Sequence, residues 1–509
     1  MRCPVIVLAC LVLGCNSGIP PGLKYYWNSD PRSLDPALST DVPTGEAVTL
    51  VFDNLTEFDP DGALIPGLAT AWSPSTDGRI WTFHLRSGVT FQDGRPLGAA
   101  AIEASLIRAL QMANHGGRVW PLLPIVGASA VIDSGATTLR GLTIVDDTTI
   151  AFTLTQSLNI FPKLLAMPVA AIVPTPVPDD FGEAPIGSGP WKFVSWSHDD
   201  LLVFARNDHW WGTPARSDTL RVRIIPEVFT QGAEYESGRL SVVEVPGGET
   251  ERWERVHGAE LQHRTAFRDW YVAINTRRGA LSDVRVRQAL NHAVNIPAIL
   301  AQVMHNRGVL AAGSIPPGLA GYDSSRARYA YDPVAARRLL VEAGHASDLH
   351  LQLWRTPRAE FARIAQAIQA DLARVGVAVD IVERDASTAR AAARNGDADL
   401  FLSDWYADYP DGEDFTYPLF YSGNAGTGGN YAFLHDPALD TLLVEARTTT
   451  DTAAKATLLR TIDARVFNLA PWIFCWFPDD LWAMRPEVHG WKYPLVITGQ
   501  RWTTVTISR

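Results

Sequence analysis

The hydrophobic positions between residues 24 and 112 follow first the period of strands and then the period of a helix. Short apolar runs alternate with Pro, Gly and Asp turns over residues 24–85, which predicts strands and hairpins. Within this stretch, residues 80–85 (IWTFHL) alternate like a half-buried strand. Residues 98–112 then predict a helix with one apolar face, formed by Ile102, Leu106, Ala109 and Leu110. A second β-rich region is predicted over residues 141–211.

The stretch from residue 349 to residue 403 alternates between strand and helix patterns. It predicts strand, helix, strand, helix and strand over 349–354, 359–374, 377–382, 388–394 and 399–403. This order implies a parallel sheet, and ligands of such sheets bind beyond the carboxyl ends of the strands. Arg355 follows the first strand, while Trp405 and Asp408 follow the third. We therefore expect these three side chains to face one crevice.

Capping signals predict two further helices. Ser282 is the predicted N-cap of a helix with an inward face formed by Val286, Ala289, Leu290, Ala293 and Val294. Asp332 and Pro333 predict the start of the second helix, because Pro is favoured in the first turn, and Gly344 predicts its end.

Length and charge limit the class of protein. A chain of 509 residues exceeds what one hydrophobic core usually supports, so two or three lobes are expected. The net charge of −11 and the absence of a basic run argue against nucleic acid as a partner. None of the lysines stands in a Gly-Lys-Ser/Thr sequence, which excludes nucleotide hydrolysis by a Walker A loop.

The N-terminus has the pattern of an export signal. Met1-Arg2 is followed by an apolar run over residues 5–13, far shorter than the ~20 residues that span a bilayer. Residues 1–14 are therefore predicted to be a signal peptide. The sequence Val12-Leu13-Gly14-Cys15 resembles the bacterial lipobox, which implies acylation of Cys15, a tether over 15–22 and a lipid-anchored protein at the extracytoplasmic face of the cell envelope. The alternative is an ordinary signal peptide that is cleaved elsewhere.

Residues for covalent or metal chemistry are not visible in the sequence. After the predicted processing, Cys475 is the cysteine with a free thiol, and its apolar neighbours favour a core position. No His-Glu-x-x-His or Gly-x-Ser-x-Gly motif occurs, and the acidic loop 408–414 lacks the pattern of a calcium loop. We therefore predict no enzyme activity, no cofactor and no metal.

A series of short motifs runs through nearly the whole mature chain. They are LDPA at 34–37, WTFHLRSGVTFQDG at 81–94, PIGSGPW at 185–191, NDHWW at 207–211, DVRVRQAL at 283–290, YDP at 331–333, DYPD at 408–411 and NY at 430–431. In this order they resemble the peptide-binding proteins of ABC importers, the family 5 extracellular solute-binding proteins. The resemblance implies an α/β, two-lobed periplasmic-binding-protein-like fold with an extra inserted lobe and the ligand cleft at a hinge.

The implied domain boundaries make the first lobe discontinuous. Lobe I comprises residues 23–55, 185–268 and 478–509. Lobe II, the inserted lobe, comprises residues 56–184. Lobe III comprises residues 269–477, and it carries the parallel sheet and the ligand-anchoring residues.

The resemblance also implies a ligand site. Asp408 closes a Trp405-Tyr406-Ala407-Asp408 turn and would bind the α-ammonium of a peptide. Arg355 would bind the α-carboxylate, and Trp405 would form an apolar wall. Tyr406, Gly187 and Ser188 complete the expected site, although plain turn chemistry also explains Gly187 and Ser188. Gly412 stands where relatives usually have Pro, which leaves the loop after Asp408 freer.

The predicted function is capture of short peptides by a monomeric receptor that delivers them to an ABC permease and its ATPase. A nickel chelate, haem, an opine or a sugar is the alternative cargo on the same fold. A peptide-sensing receptor that signals without transport is a second class. An envelope peptidase is a third, and it lacks a visible nucleophile or metal.

Overall fold

The computed structural model of the chain describes residues 22–346, 349–426, 428–496 and 498–508. The signal peptide predicted over 1–14, together with Cys15 and most of the predicted tether, lies outside the described residues. Within the described ranges, none of the helices is both long and apolar enough to cross a membrane. Helices and strands are mixed in several sheets, which confirms the predicted α/β class.

Two sheets share one apolar core that combines three separate stretches of the chain. The strands of the first sheet are, in spatial order, Leu23–Trp27, Thr219–Ile224, Leu201–Arg206 and Trp191–Ser197. Those of the second sheet are Val242–Glu244, Asp480–Met484 and Leu261–Arg264. The helices that contribute to this core are Val42–Val51, Val228–Glu236 and Thr250–His257. Trp191, Tyr235 and Trp253 are its largest fully buried side chains.

The residues between 56 and 164 form an antiparallel sheet with helices beside it. Its strands are, in spatial order, Ala69–Pro74, Ile80–Leu85, Thr149–Thr153 and Leu142–Asp146. A hairpin of Thr56–Phe58 and Leu64–Pro66 precedes it, and the helices are Ala99–Gln111, Ala128–Ser134 and Phe161–Leu164. The strand over residues 80–85 has the predicted bounds and alternates between buried and exposed residues. The next helix buries its predicted apolar face. Both predictions are confirmed.

A six-stranded mixed sheet carries the residues of the predicted site. Its strands are, in spatial order, Gly308–Leu310, Trp472–Pro478, Arg268–Ile274, Leu400–Tyr406, His350–Arg355 and Ala378–Glu383. The last three are mutually parallel neighbours, as predicted, and the others pair antiparallel. The sheet is therefore not purely parallel, because the strands on its other side enter from distant parts of the chain. The crossover helices Ala359–Ala373 and Ala386–Asn395 connect the parallel strands.

The other helices and strands complete the layers around these sheets. The remaining helices are Val284–Ala293, Ile296–Met304, Pro333–Glu342, Tyr417–Phe420, Pro437–Thr448 and Thr452–Leu469. Short 3-10 helices are Pro36–Leu38, Met112–His115, Trp120–Leu122, Pro168–Ala170, Gly247–Glu249, Gly258–Glu260, Gly279–Ser282, Gly412–Phe415 and Ser422–Asn424. A last pair of short strands is Val488–His489 and Thr506–Ile507.

The two predicted helix starts have different outcomes. Asp332 is the N-cap of the helix Pro333–Glu342, and its carboxylate accepts hydrogen bonds from the backbone of the first turn, as predicted. The prediction for Ser282 was wrong by one residue. Asp283 is the N-cap of the helix Val284–Ala293, whereas the Ser282 hydroxyl donates back to the carbonyl of Gly279. The Asp283 carboxylate accepts a hydrogen bond from the backbone N–H of Arg285, which otherwise has no partner in the first turn of the helix.

Two short chain passages connect the first core to the six-stranded sheet. Residues 265–267 link the strand that ends at Arg264 to the strand that begins at Arg268, and Asp479 links two further strands in the same place. Arg268 donates to Asp404 across a distance of 2.6 Å and lies 3.9 Å from Asp480. A crossing made of only a few residues can serve as a hinge, because changes in the backbone angles of these residues can absorb the rotation of one lobe against the other.

Candidate functional site

Parallel strand pairing brings the predicted site residues to one edge of the six-stranded sheet. Arg355 ends its strand, and Trp405 and Tyr406 end the neighbouring parallel strand. Trp354 lies opposite Phe401 in this register, so Trp405 extends three residues further along the edge than Arg355. At the rise of a strand this offset is about 10 Å. Arg355 and Trp405 therefore share an edge, at different heights.

Asp408 is held in position by a second acidic residue of its loop. The Asp414 carboxylate is fully buried, and one of its oxygens accepts from the backbone N–H of Asp408 at 2.9 Å and from the indole N–H of Trp405 at 3.2 Å. Burial, followed by the charge of Asp408, holds the pKa of Asp414 well above its usual range. Asp414 therefore fixes the turn, while the Asp408 side chain is free to face away from it.

Arg118 of the inserted segment meets Asp408 from the opposite side. Its two terminal nitrogens lie 2.7 Å and 3.3 Å from the two carboxylate oxygens, in a bidentate pair. The guanidinium carbon is 5.6 Å from the ring centre of Trp405 and 5.9 Å from that of Trp120. Burial opposes the charge on Arg118, but the carboxylates of Asp408 and Asp414 outweigh it and raise its pKa. Two carboxylates and two indole rings thus surround a cation.

The same acidic loop makes a second ion pair with the inserted segment. The Lys163 ammonium is 2.8 Å from the Asp411 carboxylate and 3.3 Å from the carbonyl of Pro410. Lys455 approaches the same Asp411 oxygen at 3.0 Å. Burial opposes ionisation of Asp411, yet the two ammonium groups lower its pKa to about 2. The loop is therefore attached to the inserted segment at two points.

A buried ion pair supports this loop from behind. Glu413 and Arg447 are both buried, and their nearest charged atoms are 2.9 Å apart. The Arg447 guanidinium also lies over the ring of Tyr417, 3.9 Å from its centre. Burial raises the pKa of Glu413 in spite of the charges of Arg447 and Lys455. Asp411, Glu413 and Asp414 therefore each have a structural partner within residues 405–455, which leaves the turn-forming role to them and not to Asp408.

Arg355 is engaged by a neighbour on its own sheet. It is buried, pairs with Glu383 directly across the two parallel strands, and donates to the carbonyl of Thr356 at 3.1 Å. Glu383 is half exposed, so this partner can move into solvent. Within the described ranges, no hydrogen bond, ion pair or ring contact joins Arg355 to Trp405 or Asp408. The structure does not bring the two predicted charge anchors into contact.

Tyr406 packs against the first core, and Gly187 lies against Val51 of the same core. The Tyr406 hydroxyl donates to the carbonyl of Pro494 at 2.5 Å. A Cβ atom on Gly187 would lie 2.0 Å from the carbonyl oxygen of Val51, so this position requires glycine. Ser188 is buried, and its hydroxyl has no hydrogen-bond partner among the described residues. The contacts of Tyr406 and Gly187 explain these two residues without a ligand, whereas no contact within the described ranges explains Ser188.

Sequence reasoning missed Arg118. It stands 290 residues from Asp408 in a loop between helices, and its sequence neighbours Gly117 and Val119 give no signal of a charged site. The pattern Arg-x-Trp, which places Arg118 beside Trp120, is the feature that a search for an aromatic-lined cation site could have used.

The structure offers little to metal or thiol chemistry. No group of three or more His, Cys, Asp or Glu side chains in the described part of the chain is arranged to hold a metal ion. Cys475 is buried in a strand of the six-stranded sheet, and burial raises the pKa of its thiol well above the usual range, as does the nearby Asp269. A thiol in this state is a poor nucleophile.

Comparison with known proteins extends the resemblance over the whole fold. The dipeptide-binding protein of Escherichia coli is 29% identical over 495 residues, covering 92% of this chain and 91% of that protein. The heme-binding protein A of Haemophilus influenzae is 28% identical over 489 residues, covering 91% and 88%. The structure of the periplasmic binding protein DppA of Helicobacter pylori in complex with the peptide STSA superimposes with a TM-score of 0.85 at 24% identity. The superposition covers 96% of this chain and 98% of that chain, and it shows the two-lobed fold.

The family itself is matched directly. The sequence model of the bacterial extracellular solute-binding proteins, family 5 Middle, matches residues 63–427, which is more than half of the chain. The matched region contains Arg118, Arg355, Trp405 and Asp408. The chain belongs to the family 5 bacterial extracellular solute-binding proteins.

Proposed function

We propose that this protein captures short peptides in the cell envelope and delivers them to an ABC permease with its ATPase. The observation that carries the proposal is the position of Asp408, a buried carboxylate that faces the inserted lobe beside Trp405 and already receives a cation there. A peptide α-ammonium has the charge and the hydrogen-bond donors to take that position. Relatives named dipeptide-binding protein and DppA with a bound peptide support the choice of cargo.

The proposed ligand site contains all the residues of the sequence prediction, each with its own role. Asp408 binds the ammonium, Trp405 forms the wall, and Arg355 binds the carboxylate after Glu383 moves into solvent. Tyr406 borders the cleft at the hinge, and Gly187 and Ser188 line the cleft through their backbone groups.

The proposed setting of the protein follows from its N-terminus. Cleavage before Cys15 and acylation of its thiol would anchor a monomer to the membrane at the extracytoplasmic face. Globomycin treatment, which blocks lipoprotein signal cleavage, should retain the uncleaved form, and Cys15→Ser should release the protein from the membrane fraction. Normal processing in the presence of globomycin, or a Cys15→Ser protein that fractionates like the wild type, contradicts the anchor.

Peptide binding is tested by stabilisation of the folded protein. Di- and tripeptides at millimolar concentration should raise the Tm, because they bind the native state and not the unfolded chain. The N-acetylated forms of the same peptides are the matched control, since they lack the ammonium, and they should raise the Tm less. A broad peptide library that leaves the Tm unchanged contradicts the proposal.

A different cargo is the alternative, and the relative named heme-binding protein A does not favour it over a peptide, because the dipeptide-binding protein matches at least as well. Native mass spectrometry of the protein purified without refolding separates the two, because it shows the mass of a ligand carried from the cell. A peptide mass supports the first proposal, whereas a haem, metal chelate, opine or sugar supports the second. Turnover of peptide by the clean protein would instead indicate an enzyme.

A further inference from the structure

The position proposed for the ammonium of the ligand is already filled by a side chain of the protein. The Arg118 guanidinium makes the two short contacts to Asp408 and lies near the rings of Trp405 and Trp120. Two small cavities of the described residues lie elsewhere, beside Arg501 and beside Glu46, and neither is lined by this group. Arg118 thus has the contacts that a cationic ligand would have.

A tight turn fixes the loop that carries Arg118. Gly116 has a φ of 95°, in the left-handed region that favours glycine. A Cβ atom on Gly117 would lie 2.7 Å from the carbonyl oxygen of Ala37 and 2.9 Å from that of Met112. The backbone before Arg118 is therefore closely packed against both the inserted lobe and Ala37 of lobe I, and the side chain extends from a fixed base toward the third lobe.

We infer that Arg118 is an internal occupant of the ligand's cation position, which the ligand must displace. The inference rests on the proposed function. A buried carboxylate without a partner is costly, so Arg118 stabilises Asp408 and holds the two lobes together when no ligand is present. Arg118 occupies both oxygens of the Asp408 carboxylate, so an ammonium that bound the same oxygens would lie against the guanidinium and be repelled by it. Arg118 therefore lowers the affinity for every ligand that binds through an ammonium.

Lys163 provides a matched control. It comes from the same lobe, contacts the same acidic loop and carries the same charge, but it pairs with Asp411. Asp411 keeps its second partner, Lys455, when Lys163 is replaced. Lys163→Met therefore removes one charge and one contact between the lobes without vacating the position beside Asp408.

The experiment is titration calorimetry of trialanine with the wild type, Arg118→Met, Arg118→Lys and Lys163→Met, after circular dichroism has shown that each is folded. Arg118→Met should bind at least about tenfold more tightly than the wild type, which corresponds to about 1.4 kcal/mol. Arg118→Lys should lie between them, because Lys keeps the charge but loses the bidentate fork. Lys163→Met should stay within about threefold of the wild type.

A second measurement follows the ligand-free protein. Small-angle scattering should give a larger radius of gyration for Arg118→Met than for the wild type, since one link between the lobes is lost. If the wild type binds trialanine and Arg118→Met binds it equally or more weakly, Arg118 is a ligand contact and the inference is wrong, while the proposed function stands. If neither protein binds trialanine, the proposed function and the inference both fail for this peptide class.

Discussion

Replacement of Arg447 by Met tests whether the acidic loop depends on its buried ion pair. Glu413 is fully buried and Arg447 is 5% exposed, with 2.9 Å between their charged atoms. Removal of one partner of a buried pair typically costs about 3–5 kcal/mol, because the other charge is left without compensation. Lys455 remains 3.8 Å from Glu413 and supplies part of the lost compensation, so we expect the lower end of this range, about 3 kcal/mol.

The pH of the measurement changes the expected cost. Burial raises the pKa of Glu413, so this carboxyl can take up a proton when Arg447 is absent. A neutral Glu413 no longer needs a cation. The destabilisation by Arg447→Met should therefore be largest at pH 8 and should shrink as the pH falls toward 5.

Thermal unfolding of the single and double variants provides the assay. For a unit of the size of lobe III, a loss of about 3 kcal/mol lowers the Tm by roughly 6–12 °C. The double variant Glu413→Gln/Arg447→Met removes both charges and should recover much of this loss. An Arg447→Met protein that melts within about 2 °C of the wild type at pH 8, or a double variant no more stable than the single one, would refute the reasoning.

Two further predictions concern a buried acid and the second charge anchor. Burial raises the pKa of Glu46 to about 7 although Trp27 donates a hydrogen bond to it, so its contribution to stability is present below pH 4.5 and is lost as the pH rises to about 7. Glu46→Gln should remove this part of the pH dependence, at most about 3 kcal/mol. The free energy of unfolding is measured by urea unfolding at several pH values, and a pH dependence equal to that of the wild type would contradict the assignment. Arg355→Ala should weaken binding of a free peptide about tenfold or more but leave binding of its C-terminal amide unchanged, as measured by calorimetry. Equal losses for both peptides would mean that Arg355 acts only through its pair with Glu383.

Local sequence patterns predicted the elements that are set by local physics. The strand over residues 80–85 was predictable from its two-residue alternation, and the start of the helix at Pro333 from the cap residue Asp332. The helix Ala359–Ala373 ended within one residue of its predicted end. The cap prediction fell on Ser282 instead of Asp283; both residue types are good caps, and sequence alone does not decide between adjacent candidates.

Long-range pairing set the limits of prediction. The antiparallel side of the six-stranded sheet depends on strands that are separated by about two hundred residues, as in the pairing of Arg268–Ile274 with Trp472–Pro478. The pair of Arg355 with Glu383 was within reach, because both residues follow directly from the register of two predicted parallel strands. The contact of Arg118 with Asp408 was not, since it joins two loops that only the folded lobes bring together.

The central claim is that Asp408 binds the ammonium of a peptide, and calorimetry with one peptide in two forms tests it most directly. Trialanine and N-acetyl-trialanine differ at the ammonium and share every other group. We expect the wild type to bind trialanine at least about tenfold more tightly than its acetylated form, and Asp408→Asn to bind the two forms with similar, weak affinity. Tight binding of trialanine that survives in Asp408→Asn, or equal binding of both forms by the wild type, would contradict the account.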